Sequence, residues 1–127
     1  MRRLRLPILL LAGLLLAACA GEGSAPQAIE NYLKAKVAAD ETKLVQLSCA
    51  AWEARARLDA APFKAVTASV DGVACKEAGH EGDFHLVTCE GTLTIQYRGE
   101  DPRQQPLGGT TYRAVREDGT WKMCGEE

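Results

Sequence analysis

The sequence predicts an α+β domain, with helices in its first half packed on one face of a bent antiparallel sheet of about four strands. Three observations predict it. Apolar residues recur at helical spacing between residues 26 and 60. From residue 66 onward that spacing is lost and β-branched residues alternate with polar ones. Gly-containing turns then divide the second half into strands short enough to lie side by side.

Taken in order, Ser24 to Gln27 reads as a capping box, with Pro26 in the first turn of a helix. Ile29, Tyr32, Leu33 and Val37 form its apolar stripe, and the Lys36 stem lies beside it. Asp40 caps a second, shorter helix carrying Leu44 and Leu47. Ser48 restarts a turn, and residues 50–60 are strongly helix-forming, with Glu53 and Arg57 at i, i+4, up to Pro62. Val66, Thr67, Val70, Val73 and Cys75 suggest a first strand, with a bulge or kink at Asp71-Gly72. Residues 79–83 supply a turn. Residues 84–98 alternate: His85, Val87, Cys89, Leu93, Ile95 and Tyr97 share one face, and Thr and Glu residues the other. A straight strand of that length spans about 50 Å, too long for this domain, so Gly91 marks a bend. Residues 99–109 read as a polar loop. Two last strands, 111–116 and 120–124, meet at Asp118-Gly119, which predicts a two-residue type I′ turn.

The chain has 127 residues, and its beginning is a leader. Arg2, Arg3 and Arg5 precede an apolar run over residues 8–18, a secretory signal by its layout. It falls short of the roughly 20 apolar residues of a transmembrane helix. An ordinary signal peptide would be cut after Ala18 or Ala20. The sharper reading is that Leu16-Ala17-Ala18-Cys19 resembles the lipobox of bacterial lipoproteins. That resemblance implies a diacylglyceryl group on Cys19, cleavage just before it, and an anchor on the extracytoplasmic face of a membrane. Arg2-Arg3 is followed by a poor match to a twin-arginine motif, so general secretory export is expected. The resulting organisation is a signal peptide at residues 1–18, a lipidated tether at 19–25 and a single domain at 26–127. Three of the fifteen basic residues and none of the seventeen acidic ones lie before Cys19, so the net charge falls from −2 to −5 on maturation. That balance excludes nucleic acid as the main partner.

With Cys19 assigned to lipid, Cys49, Cys75, Cys89 and Cys124 remain, an even set that reads as two disulfides in an oxidising compartment. Their spacings of 26, 14 and 35 positions contain no Cys-x-x-Cys, which argues against zinc or a redox pair. A turn at residues 80–83 or 84 would set Cys75 opposite Cys89, leaving Cys49 for Cys124. Parity speaks against the second bridge, because Trp121 and Met123 look inward and would turn Cys124 away. Cys49 with Cys75 and Cys89 with Cys124 is the alternative.

The layout resembles the cystatin-like, or NTF2-like, fold, and small exported lipoproteins of unknown function built on it. The resemblance rests on the lipobox, on Ala28-Ile29-Glu30-Asn31-Tyr32-Leu33, on Leu47-Ser48-Cys49, and on Tyr112 to Val115 followed by Trp121 to Cys124. It implies a bent sheet cradling helices, often around a cavity.

Chemistry-bearing motifs are sparse. His80, Glu81, Asp83 and His85 form one polar cluster suited to a metal or to proton transfer. Turn chemistry accounts for most of it, with His80 as a solvated loop residue and His85 on the core side. NTF2-like isomerases and dehydratases pair Asp or His with Tyr, which makes His85 with Tyr32, Tyr97 or Tyr112 the enzymatic alternative. Ser24, Ser48 and Ser69 lie in no nucleophile motif, and Gly108-Gly109 lacks the Lys and helix of a phosphate loop. Trp52 and Trp121 read as core anchors. The expectation is therefore a non-catalytic binding or accessory module for a small ligand or an envelope protein, needing no cofactor and no metal.

Overall fold

The computed structural model describes residues 23–127; the expected signal peptide, Cys19 and most of the expected tether lie outside them. Three helices, α1 (Ala25–Val37), α2 (Glu41–Gln46) and α3 (Glu53–Ala60), cover one face of a five-stranded antiparallel sheet. The strands are β1 (Thr67–Glu81), β2 (Phe84–Gln96), β3 (Arg103–Pro106), β4 (Thr111–Glu117) and β5 (Thr120–Glu126). Their order is β1-β2-β4-β5, with β3 on the far half of β2.

α1 and α2 each start where a side chain satisfies one of the first free N–H groups, whereas α3 has no side-chain cap. The Ser24 Oγ accepts from the Gln27 N–H at 3.2 Å, and Asp40 Oδ1 accepts from the Lys43 N–H at 3.1 Å. Along α1 the buried residues Ala25, Ala28, Ile29, Tyr32 and Leu33 form one stripe. Residues 50–60 are not one helix: a 3₁₀ turn over Ala50–Trp52 precedes α3, whose buried face is only Ala56, Asp59 and Ala60. Ser48 lies two residues before that 3₁₀ turn. It is buried, donates to the Leu44 carbonyl, and bridges Met123 of β5 in parallel.

The sheet departs from a simple meander at three bulges. The first, at Gly72 and Val73 of β1, lies opposite Gly91 of β2. Gly91 has φ +143°, and a Cβ there would sit 3.0 Å from the Asp71 carbonyl oxygen, so only glycine allows the bend. Beyond that bend β2 leaves β4 and pairs with β3, through Thr92↔Pro106 to Ile95↔Arg103. Residues 99–109 thus hold a fifth strand. It is exposed throughout, so it lacks the apolar alternation by which strands are read from sequence.

A second bulge corrects the expected β1–β2 turn. The loop is only Gly82-Asp83, with Glu81 paired to Phe84 and His80 paired to His85. His80 is a strand residue rather than a loop residue. Left unbroken, this register would set Cys75 opposite residue 90. Ala78 is the extra residue that shifts the ladder by one, and Cys75 faces Cys89. Those two are bonded, as are Cys49 and Cys124. A third bulge serves the second bridge. Ala114 pairs with Met123 and Arg113 with Gly125, leaving Cys124 unpaired between them. The extra residue breaks the alternation that would have turned Cys124 away from the helical side, and the Cys49 N–H meets the Met123 carbonyl at 2.8 Å.

The core lies between the helices and the sheet. Ile29, Tyr32, Leu44, Val87 and Met123 are its largest fully buried side chains, joined by Ala56, Ala60 and Ala114. At Asp118-Gly119 both residues have positive φ, +53° and +78°, as a type I′ turn requires.

Candidate functional site

Two polar centres stand on or beside the helix-bearing side of the sheet. The inner one is built by α1 and α3. Tyr32 Oη donates to Asp59 Oδ2 at 2.8 Å and accepts from Trp52 Nε1 at 3.1 Å. Asp59 also accepts from Arg55 Nε at 3.1 Å, and Lys36 Nζ stands 3.9 Å away. Asp59 is only 6% exposed, so these partners supply the compensation that a buried carboxylate needs. Burial first, and the Asp59 bond second, push the Tyr32 phenol well above its usual range. A phenol so held stays protonated through neutral pH and donates steadily to Asp59. This centre ties α1 to α3. Among the described residues, no buried side-chain nitrogen or oxygen lacks a partner. Burial also raises Tyr112, with the Glu126 charge adding to it. Tyr97 is different: it is 45% exposed, with Arg103 over its ring at 5.8 Å.

Sequence reasoning missed Asp59. Its signal was present, since Ala56, Asp59 and Ala60 lie on one α3 face of otherwise small residues. An acid on a buried face of alanines needs cationic or donor partners.

The outer centre is at the tip of the β1–β2 hairpin. Directly opposed residues share a face, so Glu77 (opposite Val87) and His80 (opposite His85) lie with Val87 on the helix-bearing side. The Ala78 bulge makes this possible. Without an extra residue, positions 77 and 80 would point to opposite faces. His85 Nδ1 and Glu77 Oε1 are 3.0 Å apart. In neutral His85 the Nδ1–H donates to the carboxylate and leaves Nε2 with its lone pair. The His80 and His85 rings meet edge to face at 4.1 Å, and the Trp121 ring meets His85 at 4.5 Å. Trp121 in turn rests partly buried on the core, and the Arg116 guanidinium lies over its ring at 5.7 Å.

The four-residue cluster read from the sequence is therefore split and rebuilt. His80 and His85 come together. Glu81 faces the other side and pairs with Arg113 at 3.6 Å, while Asp83 forms the turn and lines a shallow depression beside His85 and Trp121. Glu77 replaces them, eight residues before His85. Nothing in local spacing pointed to Glu77, because its approach depends on the bulge.

Among the described residues, no helix is long and apolar enough to cross a membrane. Two disulfides in so small a domain indicate an oxidising, extracytoplasmic compartment.

No protein-family model matches the chain, and no curated protein matches it. Two solved structures are similar. The 1.8 Å structure of Aln2 from a Streptomyces species superposes with a TM-score of 0.52 and 16% identity, over 79% of this chain and 82% of that one. The solution structure of a SEC-C motif-containing protein from Rhodopseudomonas palustris does so with a TM-score of 0.50 and 13% identity, over 83% and 80%. At such identities the likeness extends to the fold alone, that of a small α+β domain with helices on one face of an antiparallel sheet.

Proposed function

We propose that this chain is a non-catalytic binding or accessory module of NTF2-like, or cystatin-like, descent, held at the extracytoplasmic face of a membrane by lipid on Cys19. Its partner is a small ligand or another envelope protein. The observation that carries the non-catalytic reading is the filled space between helices and sheet. Where a cavity enzyme of this architecture would hold substrate, Ile29, Tyr32, Leu44, Val87 and Met123 are fully buried. The inner Tyr32–Asp59 pair is engaged in bonds that hold the helices together rather than turned toward a pocket-bound substrate. The lipid anchor is supported by the leader and by Leu16-Ala17-Ala18-Cys19, and two or three acyl chains suffice for stable attachment.

A second reading, a small isomerase or dehydratase using His85, draws on the His85–Glu77 contact. It is disfavoured because Glu77 is exposed and both groups lie at the rim. Native mass spectrometry of the detergent-extracted full chain tests the first reading. The expected species is the acylated protein without an enclosed small molecule. An apolar compound retained at one equivalent would contradict the filled interior, decide for a small ligand over an envelope protein as the partner, and reopen the enzymatic alternative.

A further inference from the structure

We propose that Glu77, His80 and His85 form a binding site for a divalent first-row transition metal, zinc foremost. The whole chain contains 2 histidines, and the hairpin register sets them directly opposite each other. A bulge at Ala78 brings Glu77 onto the same face. One donor atom from each of the three lies within 4.8 Å of the other two. Around a tetrahedral zinc ion with ligands at about 2.0–2.1 Å, donor atoms lie about 3.3 Å apart. The His85 Nδ1–Glu77 Oε1 pair is already at 3.0 Å, so only the exposed His80 has to close in by rotating its side chain.

The donor set decides the class of cation. Two imidazoles and one carboxylate suit zinc, nickel and copper, whereas calcium and magnesium demand an all-oxygen shell. Three protein ligands at an exposed hairpin tip leave a position open to water. The cation takes the place of the proton between His85 Nδ1 and Glu77; as that proton leaves Nδ1, Nε2 takes one up from solvent, so the ligand is the neutral imidazole protonated at Nε2. Trp121 packs edge-on to the His85 ring at 4.5 Å and restricts its orientation. Arg116, the nearby cation on this face, is engaged with the Trp121 ring and with the Gly119 carbonyl at 3.2 Å. The site is independent of the membrane anchor and of the filled core, so its failure would leave the accessory-module reading standing.

The test is isothermal titration of the full chain, without a histidine tag, with zinc chloride. One equivalent should bind, and both histidine ring signals in the NMR spectrum should move and return on adding a chelator. His80→Ala, at an exposed strand position, should weaken binding at least about tenfold, as should His85→Ala and Glu77→Gln. Calcium chloride should produce no heat. Copper(II) should quench Trp121 fluorescence in a Trp52→Phe background, and His80→Ala should abolish that quenching. No binding up to about 100 µM zinc, or equal binding by wild type and His80→Ala with both disulfides intact, overturns the proposal. Equal affinity for calcium would overturn it as well, since the imidazoles would then be unused.

Discussion

Opening the Cys49–Cys124 bridge should cost this domain more than opening Cys75–Cys89, although the second lies in the longest hairpin of the sheet. The perturbation is a pair of double variants, Cys49→Ala with Cys124→Ala and Cys75→Ala with Cys89→Ala. The bridges close loops of 75 and 14 residues. On unfolded-chain entropy alone these correspond to about 4.5 and about 3 kcal/mol. The shorter loop lies inside the longer one, which trims the effective length to about 61 residues and the larger figure to about 4.3 kcal/mol. The smaller bridge also joins strands already paired along the backbone on both sides of it. The larger one fastens residues 47–49 to the edge of β5, where two backbone bonds, Met123 N–H to Leu47 O and Cys49 N–H to Met123 O, hold the contact. Domains of this size have about 5–15 kcal/mol in total, so loss of Cys49–Cys124 should bring the variant near the limit of folding. Urea denaturation under non-reducing conditions, with the slope compared between variants, measures both costs. A cost below about 1 kcal/mol for Cys49/Cys124, or a larger cost for Cys75/Cys89, would refute the reasoning.

Three further outcomes are expected. Replacing Gly119 by Val should destabilise the domain by more than about 1 kcal/mol, because φ there is +78° and a β-branched residue resists that region; an unchanged urea midpoint would contradict the turn assignment. The raised Tyr32 pKa means the folded state favours the protonated phenol. Its contribution is fully present below the unfolded value near 10.0 and declines as pH rises above it, so Tyr32→Phe should flatten the alkaline fall of the melting temperature, and a parallel fall would contradict the Tyr32–Asp59 bond. Finally, Cys19→Ser should leave a larger, unlipidated precursor, read by metabolic labelling with a tritiated fatty acid and by gel mobility; normal processing with detergent partitioning would remove the lipobox from the account.

Features specified by a few neighbouring residues were legible in the sequence. The α+β order follows from apolar spacing that changes period near residue 66. Ser24 and Asp40 cap helices through their own side chains, and Asp118-Gly119 dictates a tight turn because both positions need positive φ. The Gly91 bend was legible for a related reason, since a 15-residue alternation cannot run straight through so small a domain. What escaped reading depends on partners distant in sequence. The polar β3 is a strand only because β2 turns away from β4 at Gly91 and exposes an edge. Asp59 is tolerable inside only because Tyr32, Arg55 and Lys36 converge on it. Above all, alternation along a strand places side chains only until an extra residue is inserted, and bulges are set by how whole strands fit one another. The bulge at Cys124 removed the parity objection to Cys49. The bulge at Ala78 moved the ladder into step for Cys75 and Cys89, and brought Glu77 together with His80 and His85. Sequence by itself thus determined the class of fold and the Asp118-Gly119 turn, while tertiary pairing decided which polar side chains meet, because one inserted residue reverses a face and no local pattern marks where it enters.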